Sequence, residues 1–279
     1  GVRGRASARQ KTHLPLTVNH PLTSPPLLGG SPSPARGEGR KRWRKVVRSG
    51  FLFFGPLLIL GFTAGTAQTA PSVLVTVQPV HSLVAGVMDG VGAPALLLPA
   101  GATPHSYSLR PSDARKLARA DLVIRVGQAL ETFLTKPLAN IATRARVITL
   151  MRTGRDDHST DPHIWLDPNQ ARRIVRQVTV AIRRLDPENA GIYDSNARKT
   201  LARIVRLDTA IAADLETVRT APYIVFHDAY RHFERHFRLK NVAAITVSPE
   251  KKPGARRLRR IRAIIGAQNI KCVFAEPQF

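Results

Sequence analysis

From Pro71 onward, short apolar runs alternate with stretches of helical periodicity, and this alternation limits the folds open to the chain. We predict seven strands, at 73–77, 95–98, 122–126, 147–150, 223–226, 242–246 and 272–275. Helices are predicted between them, near 83–88, from Pro111, at 128–141, after Asp167-Pro168, after Asp186-Pro187, at 229–237 and at 255–265. Strands that alternate with helices at this spacing form parallel sheets, so the sequence predicts an α/β fold.

The longest predicted helix begins at Asp186-Pro187, where Asp can cap free N–H groups and Pro tolerates the first helical position. Apolar residues then recur at spacings of three and four: Ala197, Leu201, Ile204, Ile211, Leu215 and Val218. Roughly thirty helical residues would span about 45 Å. Because one layer of a small domain does not need such a length, we interpret this helix as a rigid connector between two lobes.

The N-terminal 67 residues carry eleven Lys or Arg against one acidic residue, Glu38. Residues 1–40 show neither helical nor strand periodicity and are rich in Pro, Ser and Gly over much of their length. We expect an unstructured leader there that is not part of the natural protein.

Residues 41–67 have the three zones of a signal peptide: a basic start, an apolar run over 51–62 and a small-residue end. Cleavage is expected after Ala67. An uncleaved membrane anchor is the weaker alternative, because Pro56 interrupts the run and it is shorter than the roughly 20 residues that span a bilayer. No cysteine lies near the cleavage point for lipid attachment, so we expect a soluble protein exported to the periplasm.

The composition and net charge of the chain limit the classes of function it can have. With 279 residues and 43% hydrophobic content the chain can bury a core, and its single cysteine, Cys272, excludes a disulfide framework and a cysteine-based zinc or iron–sulfur site. The net charge of +24 makes a basic nucleic-acid-binding protein the alternative from another class, with the run from Lys251 to Arg262 as its best feature. Because no aromatic residues interleave that run and an export signal precedes it, we expect no nucleic-acid partner.

Three of the nine histidines follow predicted strands: His105, His163 and His227. Ligands bind outside the carboxyl ends of strands in open α/β sheets, so three imidazoles delivered there could converge on a metal ion. An ordinary hydrogen-bonded or surface role for each histidine remains open at this point.

Four segments around and beyond these histidines carry a more specific signal: Pro104 to Asp113 (PHSYSLRPSD), Asp161 to Pro168 (DPHIWLDP), Phe226 to Tyr230 (FHDAY) and Cys272 to Phe279 (CVFAEPQF). Together they resemble the periplasmic zinc-binding proteins of bacterial zinc ABC importers, the cluster A-I solute-binding family, over about residues 72–279. The resemblance implies two α/β lobes joined by a long helix, with the metal held between them.

The resemblance also implies a ligand set and a role. His105, His163 and His227 would bind Zn²⁺ as a transported ion rather than a catalytic cofactor, and the partner would be the membrane permease of an ABC importer. A monomer is expected. A manganese-binding member of the same importer family is the nearest alternative.

Departures from the family pattern set further expectations. The fourth ligand would lie beyond Phe279, so the second lobe is expected to be incomplete. The loop rich in histidine and acidic residues that many zinc-binding members carry before the second ligand is reduced here to Asp156-Asp157-His158. Arg238 stands where the family usually has a glycine that closes the helix, and this change would weaken that helix end. The expected domains are the leader, the signal peptide, a first lobe at 68–185, a connecting helix at 186–219 and a second lobe at 220–279.

No H-E-x-x-H motif or paired glutamate accompanies the three histidines, so we predict that the protein is not an enzyme. Glu131 and Glu276 are expected either near the metal or, more simply, in structural ion pairs. His232 and His236 lie four residues apart, a spacing that could hold a metal, but we interpret them as residues of a solvated helix face.

Overall fold

The computed structural model of the protein describes three stretches of the chain: residues 70–151, 161–247 and 252–276. The expected leader, the expected signal peptide and Asp156-Asp157-His158 lie outside the described residues. The expected domain bounds stay a prediction.

The described residues contain seven strands and seven α-helices, which alternate except where α4 is followed directly by α5. The strands are β1 (Val73–Val75), β2 (Ala95–Leu96), β3 (Leu122–Arg125), β4 (Arg146–Thr149), β5 (Tyr223–His227), β6 (Asn241–Thr246) and β7 (Cys272–Phe274). The helices are α1 (Gln78–Met88), α2 (Pro111–Arg119), α3 (Thr135–Asn140), α4 (Pro168–Leu185), α5 (Ala190–Leu215), α6 (Arg231–Phe237) and α7 (Ala255–Ala267). Short 3₁₀ helices occur at Thr132–Leu134 and Ile164–Leu166.

The first four strands form a parallel sheet in the order β2-β1-β3-β4, which with its helices is called the first lobe below. Leu74 in β1 pairs with Ala95 on one side and Val123 on the other, and Val123 pairs in turn with Val147. All four strands therefore end at the same edge of the sheet, where the loops that follow them meet.

Both faces of this sheet are covered by helices. Val73 and Val75 face a core formed with α1, α4 and α5, whereas Leu74 between them faces a second core with α2. Alternate residues of one strand thus lie in two different cores, because successive side chains point to opposite faces. This explains why the strands read as continuous apolar runs rather than alternating ones.

The last three strands form a second parallel sheet, in the order β6-β5-β7, and with α6 and α7 make up the second lobe. Ile224 pairs with Ala243 on one side and Val273 on the other. Its core is smaller, with Ile224, Ile261 and Ile270 buried. The predicted α/β class with two parallel sheets and a long helix is confirmed.

The long helix α5 is part of the first lobe as well as the path to the second. It has 26 residues, about 39 Å at the usual rise. Its first half is buried against α1 and α4, with Tyr193, Ala197 and Ile204 in the core. Gly86 of α1 permits this close approach, because a Cβ there would lie 2.9 Å from Thr200 Oγ1.

Two helix predictions need correction. Asp186 does not cap α5; it follows α4, and its carboxylate accepts hydrogen bonds from the Tyr193 hydroxyl and the Asn189 side chain. The predicted helix at 128–141 is broken into a turn, a 3₁₀ helix and the short α3. The turn forms because the carboxylate of Glu131 accepts the backbone N–H groups of residues 126 and 127.

Arg238 closes α6 in the left-handed conformation, with φ 56° and ψ 43°. The left-handed cap that glycine would form easily is therefore present, but it is made by a residue with a Cβ, for which this conformation costs about 1 kcal/mol or more. The weakening of this helix end stays a prediction, and the strained conformation of Arg238 is its physical basis.

None of the helices in the described parts of the chain combines the length and the apolar character that crossing a bilayer requires.

We predict that Arg238→Gly stabilises the protein by about 1 kcal/mol, because it removes the left-handed strain. Urea unfolding monitored by circular dichroism measures the change. The matched control is Arg235→Gly, an exposed position inside the same helix, which should destabilise by about 1 kcal/mol. Loss of stability in both variants would contradict the strain at Arg238.

Candidate metal site

The three histidines predicted from the sequence come together in the structure. His105 lies in the loop after β2, His163 directly before the 3₁₀ helix that leads into α4, and His227 is the last residue of β5. One ligand nitrogen from each lies within 4.8 Å of those of the other two, and their ring centroids are 5.0 to 5.5 Å apart. We call them the histidine triad. The first two belong to the first lobe and the third to the second.

Local structure orients His163. Its backbone N–H donates to Asp161 Oδ1 at 2.9 Å, and its ring Nδ1 lies 2.5 Å from the same oxygen. With Nδ1 bound to the carboxylate, Nε2 is the nitrogen left for a metal ion. Carboxylates in this position fix the ring and its tautomer and raise the basicity of the ligand nitrogen.

Asp161 is held in its charged form. Burial by itself would raise the pKa of this carboxyl, but the hydrogen bond and charge of His163 outweigh burial and bring the pKa below its usual value. An anion therefore stands behind His163 at neutral pH, where it favours a cation on the other side of the ring.

Glu276 has a related position behind His227. Its Oε1 lies 3.6 Å from His227 Nδ1 and accepts a hydrogen bond from the Tyr230 hydroxyl at 3.0 Å. Burial, together with that bond, raises the pKa of Tyr230 to about 12, so it stays a donor. Of the two roles expected for Glu276, the structure favours the one beside the metal site.

The histidine triad opens into a cleft of about 440 Å³ between the lobes. Aromatic and polar side chains from both lobes line it: His105, His163, His227, Trp165, Tyr230 and Glu276. The Trp165 ring meets the His163 ring edge-on, with centroids 5.3 Å apart. Sequence reasoning named neither Trp165 nor Tyr230 as a site residue, although both lie inside the motifs that contain the histidines.

Glu131 has neither of its expected roles. It is fully buried, and burial raises its pKa. Its carboxylate accepts hydrogen bonds from the Thr76 hydroxyl and from the N–H groups of Val126 and Gly127. Among the described residues it forms no ion pair and contacts none of the histidine triad. Its hydrogen bonds instead stabilise the turn after β3.

The interpretation of His232 and His236 as residues of a solvated face is wrong. Only 7% of His232 is exposed, and its Nε2 lies 2.7 Å from the backbone oxygen of Asp161. His236 Nε2 lies 2.7 Å from Asp208 Oδ1. The sequence shows only that the two histidines are four positions apart. Their side chains are covered because α6 docks on the first lobe, and that docking is a tertiary contact.

Two α/β lobes, each built on a parallel sheet, with a candidate metal site in the cleft between them define the class of two-lobed metal-binding solute-binding proteins. Residues 73–279 match the family model described as ZnuA, zinc-uptake complex component A, periplasmic. The chain belongs to this family.

Curated relatives agree with the family match. The chain is 33% identical over 278 residues to the high-affinity zinc uptake system protein ZnuA of Brucella abortus strain 2308, covering 82% of this chain and 83% of the relative. It is 35% identical over 241 residues to the protein of the same name from Yersinia pestis, covering 75% of this chain and 76% of the relative.

Solved structures share the fold. A crystal structure of ZnuA superimposes with a TM-score of 0.67 at 23% identity, covering 75% of this chain and 83% of the other. The laminin-binding protein Lmb of Streptococcus agalactiae, described as a bifunctional protein with adhesin and metal transporting activity, also gives 0.67 at 23% identity, covering 75% and 81%. At this identity the likeness shows the two-lobed fold alone.

A second polar cluster, beside the site, joins α4, α5 and α6 around Asp208. Arg172 Nη1 lies 3.1 Å from this carboxylate, in addition to His236 at 2.7 Å. Burial would raise the pKa of Asp208, but the bonds from His236 and Arg172 lower it below the usual value.

We predict that Asp208→Asn destabilises the protein by about 1 kcal/mol at pH 7. The folded-state pKa of Asp208 is depressed, so its ionised form stabilises the protein above the unfolded pKa of about 3.9, and this contribution is lost as pH falls through the folded pKa. Urea unfolding between pH 7 and 3 should therefore show the two proteins converging in acid.

The matched control for this prediction is Asp194→Asn, since Asp194 pairs with Arg183 at the surface. It should leave stability within about 0.5 kcal/mol of the wild type. An Asp208→Asn protein as stable as the wild type at pH 7, or a difference that persists unchanged into acid, would contradict the proposed linkage.

Proposed function

We propose that the protein captures Zn²⁺ with the histidine triad and delivers it for high-affinity zinc uptake. The observation that carries this proposal is the convergence of three imidazoles, two from one lobe and one from the other, within 4.8 Å. Zinc accepts imidazole nitrogen at about 2.0–2.1 Å in a tetrahedral array, and three nitrogens already this close need only a small approach to supply three of its sides. Family membership and the names of the curated relatives agree with zinc as the cargo.

The donor set favours zinc over manganese. All three candidate ligands are neutral nitrogens, and for such sites Mn²⁺ stands below Zn²⁺ in the usual affinity order. Carboxylates, whose oxygens suit manganese better, lie behind His163 and His227, and one oxygen of each is already bound, to Nδ1 of His163 and to the Tyr230 hydroxyl. Zinc is therefore the proposed cargo and manganese the weaker competitor.

Because the ligands come from both lobes, binding the ion also holds the lobes together, and the bound form differs from the free form in the relation of the lobes. Such a difference is what a membrane permease can recognise. We therefore infer an extracytoplasmic protein that passes zinc to the permease of an ABC importer, in keeping with the periplasmic zinc-uptake family. Capture and delivery require no catalytic step.

Replacing a ligand tests the site directly. His105→Ala, His163→Ala and His227→Ala should each weaken zinc binding about 100-fold, because each removes one of a few bonds that share the binding free energy. Competition against a zinc chelator measures the affinity.

His81→Ala is the matched control for these ligand replacements, since this histidine bonds the backbone oxygen of Pro94 and does not belong to the histidine triad. Its zinc affinity should equal that of the wild type. Ligand variants that bind zinc as well as His81→Ala does would exclude the histidine triad as the binding site.

Protons should compete with zinc. Imidazole binds a metal only when neutral, and free histidine has a pKa of about 6.5, so zinc affinity should fall as pH decreases through about 6. Up to three protons compete for each ion, so the decline should be steeper than for a single titrating group. Chelator competition at several pH values measures it; an affinity that stays constant from about pH 8 to 5 would argue against three imidazole ligands.

A further inference from the structure

His232 connects the second lobe to the loop that holds a proposed ligand of the first. It lies on α6, is buried, and its Nε2 donates to the carbonyl oxygen of Asp161 at 2.7 Å. The two residues are 71 positions apart in the chain, so only the docking of the lobes brings them together. The bond is partly buried, and a carbonyl that loses its donor there is destabilised, which makes this contact a constraint on the loop.

Asp161 transmits that constraint to the metal site. Its carboxylate accepts both the backbone N–H and the ring Nδ1 of His163, so the position of Asp161 sets the position of the ring. The side chain of Asp161 is 4% exposed and that of His163 is 9% exposed, leaving little room for either to rearrange. His232 therefore contacts Asp161, and Asp161 in turn contacts His163.

A second histidine, one turn further along α6, keeps His232 in place. His236 Nε2 contacts Asp208 Oδ1 on α5, and its Nδ1 lies 3.2 Å from the Asn169 amide nitrogen on α4. The same Nδ1 lies 3.4 Å from Asp167 Oδ1, so both ring nitrogens of His236 face groups of the first lobe. The helix α6 is thus bound to the first lobe at two points.

We propose that His232 is a positioning residue for the metal site: by holding the Asp161 carbonyl across the lobe boundary, it keeps His163 in the orientation that binds zinc. This inference rests on the proposed function of His163 as a zinc ligand. Partners of this kind commonly contribute 10–100-fold to metal affinity, because they fix the first ligand before the metal arrives.

Two amide substitutions that differ by one methylene test the proposal. The side-chain nitrogen of Gln reaches about as far as imidazole Nε2, whereas that of Asn reaches only about as far as Nδ1. His232→Gln should therefore keep the bond to Asp161 and bind zinc like the wild type, and His232→Asn should bind it about tenfold more weakly. Equal zinc affinities for these two variants, at either level, would overturn the proposal.

A double-mutant cycle separates positioning from a general effect on the fold. In a His163→Ala background the ring that His232 positions is gone, so His232→Asn and His232→Gln should bind zinc equally, even if they differ in thermal stability. A difference of about tenfold that persists in this background would show that His232 acts through the fold and not through His163.

The same cycle distinguishes failure of this inference from failure of the proposed function. If His163→Ala alone leaves zinc affinity unchanged, His163 is not a ligand and the site itself is wrong. If His163→Ala weakens binding but the Asn and Gln variants of His232 are equal, the site stands and only the positioning role is wrong.

Discussion

Three imidazoles can share one metal ion only if the two sheets that carry them keep a fixed relation, and this constraint governs the rest of the structure. His105 and His163 follow strands of the first sheet, whereas His227 ends a strand of the second. Within the described residues the two sheets share no backbone hydrogen bonds, and contacts of α6 with the first lobe help to fix their relation. The candidate site therefore depends on the packing of α6 as well as on the ligands themselves.

Two carboxylates lie beside rings of the histidine triad. Behind the imidazole of His163 stands the ionised carboxylate of Asp161, and Glu276 lies behind His227, so each ring is oriented from the side away from the proposed metal position. A cation in the cleft interacts favourably with both carboxylates, while the neutral nitrogens provide the bonds. Because imidazole binds a metal only when neutral, the zinc capture proposed for this arrangement depends on deprotonated histidines.

Much of the fold could be predicted from the sequence because strands and helices are local features of pattern. The strand predicted at 122–126 is present at Leu122–Arg125, and the helix predicted after Asp167-Pro168 is present, with the Asp167 carboxylate accepting the Asn169 N–H as a cap. The prediction failed at Asp186 and around Glu131, where a carboxylate bonds groups that the sequence pattern cannot identify. It also failed for His232 and His236, whose spacing is compatible with either a solvated or a buried face.

The sequence by itself determined the α/β class, the long helix and the identity of the three histidines, because periodicity and position after a strand are properties of neighbouring residues. Only the tertiary structure decided that the triad converges within 4.8 Å, that Asp161 and Glu276 lie behind it and that His232 is buried against the Asp161 carbonyl. The physical reason is that, apart from the local bond between Asp161 and His163, these contacts join residues tens of positions apart, and those within the triad and from His232 to Asp161 also join the two lobes. Their distances depend on how the lobes dock, and local sequence preferences do not specify that docking.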